Sequence, residues 1–147
     1  MPQNATIRTL AHGSPDYDAA VALRRQILRT PLGLDFTPEQ LAGEDEDTHL
    51  AAVSGDRIVA TVVLSPYDGE TLKLRQMAVD PAFQGSGVGA QLLLAAEDHA
   101  RLEGKTRIVL AARVTAEGFY ARHGYVREGD VFTEVTIPHI WMTKSLA

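Results

Sequence analysis

The residues that most directly suggest chemistry lie mid-chain, in Asp80-Pro81-Ala82-Phe83-Gln84-Gly85-Ser86-Gly87-Val88-Gly89-Ala90. Glycines at alternate positions, Gly85, Gly87 and Gly89, strip side chains from a turn between a strand-like run and a helical one. Bare backbone N–H groups there can approach a ligand closely, and the first helical turn adds donors with no partner of their own. The helix dipole adds partial positive charge, so the corner suits an anion, most naturally a pyrophosphate. A Walker A loop needs Lys and then Ser or Thr after its glycine, and Gly89-Ala90 supplies neither. The dinucleotide fingerprint spaces its glycines differently and has an acid on the next strand; the run 108–112 holds none. ATP or NAD on this loop stays open as a rival, and calorimetry against those ligands separates it.

Composition removes other chemistries. The 147 residues include no cysteine, which excludes a disulfide scaffold, thiolate–zinc and iron–sulfur sites and a cysteine nucleophile. A net charge of −5 with no basic block argues against broad binding to nucleic acid. His12, His49, His99 and His123 have no metal-ligand spacing, so no metal site is expected. The acidic run Glu44-Asp45-Glu46-Asp47 reads as a solvated face. Residues 1–10 lack the pattern of a signal peptide, and no apolar run spans a bilayer, so a cytoplasmic protein without a membrane partner is the expectation.

The elements that must position the loop follow from periodicity and punctuation. Length suits one domain over residues 1–147. A weak alternation over 5–10 suggests an edge-like strand. Ser14-Pro15 caps a helix over 16–29 with Ala20, Leu23, Ile27 and Leu28 on one face, and Thr37-Pro38 with Gln40 opens a short second helix. Runs 49–53, 57–64 and 72–79, separated by turn residues, predict an antiparallel meander. A helix from about 86 to 103 ends at Gly104, a strand covers 108–112, and a short helix near 116–123 ends at Gly124. Strands near 125–127 and 132–144 close the sheet, the latter with Pro138 marking an edge, bulge or break. The expected fold is α/β, an α+β mixed sheet of about seven strands flanked by about four helices. Strands 72–79 and 108–112 should lie parallel, joined by a right-handed crossover.

Gln84-Gly85-Ser86-Gly87-Val88-Gly89 resembles the Q/R-x-x-G-x-G/A loop with which the GNAT family of N-acetyltransferases holds the acyl-coenzyme A pyrophosphate. Met77-Ala78-Val79-Asp80-Pro81 resembles that family's fourth strand. Ala116-Glu117-Gly118-Phe119-Tyr120 with Gly124-Tyr125 is similar to its A-x-x-x-Y-x-x-x-G-[FY] segment. The ending Glu134-Val135-Thr136-Ile137-Pro138-His139-Ile140-Trp141-Met142, with Arg24-Arg25, resembles a bacterial ElaA-type subgroup. The inferred element order is also the GNAT order, so the resemblance covers essentially the whole chain.

That resemblance implies a GNAT-like acyl-CoA N-acyltransferase fold and direct acetyl transfer from acetyl-CoA to a primary amine on a small molecule or peptide. It assigns Met77, Ala78 and Val79 to the pantetheine arm, and Gln84, Gly85, Ser86, Gly87, Val88, Gly89 and Ala90 to the pyrophosphate, with Phe119 beside the cofactor. A backbone N–H near Ala78 or Val79 would face the thioester oxygen. Tyr120 takes the family position of the general acid. Glu134 and His139 lie on strands that border the acceptor cleft in the family, and either is a candidate base. Arg113 replaces a common family asparagine; it is expected to reach the CoA phosphates, a substrate carboxylate or an acidic neighbour. A CoA-binding module without catalysis is the alternative, and an edge strand near the C-terminus offers a surface for a homodimer.

Overall fold

A computed structural model describes residues 5–146; the sequence readings at residues 1–4 and 147 lie outside the described residues. The order is β1 (Thr6–Leu10), α1 (Pro15–Leu28), α2 (Pro38–Ala42), β2 (Thr48–Ser54), β3 (Arg57–Asp68), β4 (Thr71–Val79), α3 (Val88–Leu102), β5 (Arg107–Arg113), α4 (Glu117–Ala121), β6 (Val126–Glu134) and β7 (Ile137–Ser145). The strands form one seven-stranded sheet in the order β1-β2-β3-β4-β5-β7-β6. Only β4 and β5 run parallel, joined by α3; the other neighbours are antiparallel.

Alternation along β2 shows how the sheet is covered. Leu50 and Ala52 join the cluster that contains Leu92, Leu93, Ala96 and Ala100 of α3, whereas Ala51 between them joins Ala20 of α1. The two long helices therefore pack on opposite faces. The four α3 residues are fully buried, and each such leucine contributes roughly 1.5–3 kcal/mol. At the start of α1 the Ser14 side chain accepts the Tyr17 N–H, and α2 opens with the Thr37–Gln40 capping box.

Three strands, β3, β6 and β7, differ from the expectation. β3 runs through Pro66 to Asp68, so the turn into β4 is the two residues Gly69-Glu70 rather than the 65–69 stretch. The expected final strand over 132–144 is broken at Val135-Thr136, which turn at φ 48° and 67°. Residues up to Glu134 belong to β6, and β7 begins at Ile137, giving a tight hairpin with positive φ at both central positions. Val-Thr carries no turn signal because branched side chains disfavour that region. Pro138 sits one step past the turn, opposite Thr133, and beyond Arg113↔His139, the last pair with β5. Ladder alternation points its missing N–H away from β6, so an interior strand tolerates it.

The acidic run also divides differently. Asp45 and Glu46 are exposed, but Glu44 is buried and takes Arg24 in a two-point ion pair at 2.8 and 2.6 Å. The Tyr17 hydroxyl donates to the same carboxylate at 2.7 Å, and the His49 ring bonds the Glu44 carbonyl at 2.9 Å. This network pins α1 to the segment after α2. Burial alone would raise the Glu44 pKa, but the hydrogen bonds and charge of Arg24, with the Tyr17 hydroxyl, outweigh it and hold the carboxyl below its ordinary range.

Glu44→Gln leaves the buried Arg24 charge without its counterion and should cost about 3–5 kcal/mol in urea unfolding. Because the folded pKa is depressed, the Glu44 contribution is complete above the unfolded value of roughly 4.3 and is lost as pH falls through the lower folded value. The acid limb of the stability–pH profile should shrink in Glu44→Gln.

Candidate active site

The site begins with a fault in β4. Thr61 pairs with Ala78 and Val63 with Arg75, so Gln76 and Met77 together oppose the single residue Val62. Gln76 takes φ 57°, the left-handed conformation of a β-bulge. On the other side, β4 pairs with β5 only from Thr71↔Arg107 to Leu74↔Leu110. Past Leu74 the two parallel strands part, and a cleft of about 360 Å³ opens between them.

The freed edge of β4 carries unpaired backbone groups. The Asp80 N–H donates to the Val59 carbonyl at 2.8 Å, and ladder alternation then turns the Val79 N–H and C=O away from β3. The Gln84 side chain donates to the Val79 carbonyl at 3.3 Å. Ala78 is buried, and the side chains of Met77 and Val79 pack partly against the main core. The side chains serve packing while the backbone faces the opening.

β4 leads directly into the glycine corner. Asp80 caps a single turn at Pro81–Phe83 by accepting the Ala82 N–H, and its carboxylate pairs with Arg57 at 2.7 Å. Gly85 and Gly87 then take φ 80° and 89°, which favour glycine. Gly87 caps α3 without any side-chain hydrogen bond, so the N–H groups of the first turn point outward uncapped. Ser86 instead donates its hydroxyl back to the Phe83 carbonyl. Val88 is buried under the turn. A Cβ at Gly89 would meet Phe119 and Val79 at 3.6 Å, so Phe119 packs behind the corner rather than across it. The helix begins at Val88, two residues later than the spacing suggests, and leaves the whole corner as exposed backbone.

Tyr120, Glu134 and His139 line one cleft, although Tyr120 lies 14 residues before Glu134 and 19 before His139. The Tyr120 hydroxyl donates to the Met77 sulfur at 3.5 Å, which puts it over the bulge. Burial pushes its phenol up to about 12. His139 is buried, with Nδ1 2.9 Å from the Ile137 carbonyl and Nε2 3.8 Å from the Glu134 carboxylate. Donation from Nδ1 to that carbonyl leaves Nε2 as the lone-pair nitrogen of the neutral ring. Phe132 stacks on the imidazole at 6.0 Å and fixes its plane.

Arg113 does not reach the glycine corner. It lines the cleft and donates to the Leu28 carbonyl at 3.1 Å, at the end of α1. The same cleft is lined by Arg29, Gln40, Lys73, Arg75 and Gln76, none of which sequence reasoning gave a role at the site. Lys73 and Arg75 alternate with buried Leu72 and Leu74, so their shared face is legible in the period of two; Arg29 leaves no such signal. Among the described residues, no group of three His, Asp or Glu is placed to hold a metal ion, and no helix is long and apolar enough to cross a membrane.

Residues 31–146 match the family model described as an acetyltransferase (GNAT) domain. The chain belongs to the GNAT family. The uncharacterized N-acetyltransferase YjcF of Bacillus subtilis is 31% identical over 102 residues, covering 69% of this chain and 72% of that protein. A candidate N-acetyltransferase structure from Lactobacillus plantarum superposes with a TM-score of 0.84 at 27% identity, over 97% of this chain and 99% of the other. Escherichia coli ElaA shares the fold with a TM-score of 0.81 at 22% identity, over 96% and 99% of the two chains. This chain is an N-acetyltransferase by that membership, in a family that uses acetyl-CoA as the acyl donor.

With the Tyr120 phenol at about 12, ultraviolet titration of Tyr120→Phe should match the parent chain through pH about 10. Loss of one phenolate signal below that pH would contradict the burial of this hydroxyl in the folded GNAT domain.

Proposed function

We propose that residues 1–147 act as one domain that transfers acetyl from acetyl-CoA directly to the primary amine of a small acceptor. The observation that carries this reading is the continuous path of bare backbone from the parted edge of β4 to the uncapped start of α3. A pantetheine arm has amides that can pair with the open edge at Met77, Ala78 and Val79 as an added strand would. Its pyrophosphate then falls at Gln84–Ala90, where N–H donors and the helix dipole converge. Acetyl-CoA supplies an activated acyl group; the rest is positioning and proton transfer by this chain.

The Val79 N–H, turned off the β3 ladder, is the donor suited to the thioester oxygen as it becomes an oxyanion. His139 Nε2 takes the ammonium proton, directly or through water, and Glu134 at 3.8 Å stabilises the imidazolium that results. Glu134 is thus a partner to the base rather than the base itself. Tyr120 gives its proton to the departing thiolate. The burial that keeps this phenol protonated also raises the basicity of a thiolate released in the same cleft, so the transfer is not opposed by solvation. Nitrogen–carbon bond formation and carbon–sulfur cleavage go with three proton transfers: ammonium to His139, Tyr120 to the thiolate, and the second nitrogen proton back to the Tyr120 phenolate. His139 then gives its proton to solvent, with no covalent enzyme intermediate.

Coenzyme A release with a panel of amines tests the reading. Tyr120→Phe should lower kcat by about 10²-fold, while calorimetric acetyl-CoA affinity changes little. Parent-level turnover in Tyr120→Phe removes the phenol from the mechanism. Acetyl-CoA binding with no turnover on any amine would favour a non-catalytic binding module.

A further inference from the structure

The cleft has the opposite electrical character from the chain. The chain carries a net charge of −5, yet Arg29, Lys73, Arg75 and Arg113 all line the cleft, with Glu134 as the only carboxylate among its lining residues. Arg75 has Asp47 at 3.8 Å. The other three cations make no ion pair within 4 Å among the described residues. Arg29 and Arg113 both donate to one acceptor, the Leu28 carbonyl, each at 3.1 Å. Two guanidinium groups therefore converge at the end of α1 with most of their donors unused. Aromatic faces hold neighbouring heads in place: Arg29 lies 4.6 Å over Phe36, and the Lys73 ammonium lies 5.0 Å over Trp141.

The cations also strain against their surroundings. Burial and then the neighbouring charges of Arg113 and Arg24 lower the Arg29 pKa; burial and then Arg75 lower that of Lys73. Each would gain from an anion. The donor's phosphates do not meet this need, because no residue of the Gln84–Ala90 loop lines the cleft. A polyamine acceptor would be repelled.

We propose that the acceptor is an amine that also carries an oxyanion, a carboxylate or a phosphate, held by Arg29 and Arg113. This rests on the acetyltransferase reading of the same cleft. The oxyanion anchors at the end of α1, Lys73 and Arg75 add positive field from β4, and the amine turns toward His139 and Glu134. Two guanidinium forks suit the planar oxygens of such a group.

The test is steady-state acetylation by the full chain. The acceptors are amino acids, the corresponding amino-acid amides, the decarboxylated amines, phosphoethanolamine and spermidine. Amino acids or phosphoethanolamine should exceed the neutral or cationic analogues by roughly tenfold or more in kcat/KM, and which of the two leads identifies the oxyanion. In Arg29→Gln and Arg113→Gln the KM for the anionic acceptor should rise by a similar factor, with the KM for acetyl-CoA nearly constant. Preference of the parent chain for amides, decarboxylated amines or spermidine overturns the inference, as does a rise confined to the acetyl-CoA KM. Absence of turnover on every amine defeats the underlying acetyltransferase reading; turnover of neutral or cationic amines without turnover of any anionic one defeats this inference alone. The comparison among acceptors uses the unaltered chain, so it stands even if a variant fails to fold.

Discussion

A single bulge at Gln76 and Met77 governs the molecule. It falls just past Leu74, the last β4 residue paired with β5, so the shift in register and the opening of the sheet begin at the same place. One non-glycine residue at φ 57° stores on the order of 1–3 kcal/mol of strain. The pairing of β3 on both sides of the bulge, at Val63↔Arg75 and Thr61↔Ala78, offsets that cost and fixes where the strands part. The Gln76 side-chain oxygen is buried without a hydrogen-bond partner among the described residues, a second sign that ladder regularity yields to the opening here. The helix that begins after the corner is held by its fully buried face, so the uncapped donors of its first turn are rigidly aimed.

Buried carboxylates fix both walls of the opening. Glu44 grips Arg24 and sets the position of α1, whose last carbonyl gathers Arg29 and Arg113. Glu97 of α3, also buried, accepts the Tyr125 hydroxyl and the Lys144 ammonium, each at 3.0 Å. That second cluster ties α3 to β7 and to Tyr125 at the foot of β6, with the Tyr125 ring edge-on to Tyr120 at 5.8 Å. Neither carboxylate lines the cleft. Removing either would be felt there through displaced helices rather than through lost chemistry.

Much of this architecture is legible in the sequence because it is punctuated. Ser14-Pro15, Thr37-Pro38 and Gly104 mark helix ends by capping chemistry, and alternating glycines mark the anion corner by backbone freedom. The family motif brings Tyr120 and His139 into consideration, and the structure lines one cleft with both. What stays hidden are features that oppose local preference. Gln76, Val135 and Thr136 adopt positive φ under tertiary constraint, so neither the bulge nor the closing hairpin announces itself. Glu44 reads as part of a solvated run because its partner Arg24 is 20 residues away. The cationic lining is legible only in part: alternation along β4 puts Lys73 and Arg75 on one face, but nothing links them to Arg29 or Arg113, which meet them only in the folded sheet.

The parted edge of β4 is tested most directly by hydrogen–deuterium exchange of the backbone with and without acetyl-CoA. The geometry predicts slowed exchange at residues 77–79 and 85–91, with the outer β6 edge unchanged. Protection that appears elsewhere while both segments exchange as in the free chain would contradict it.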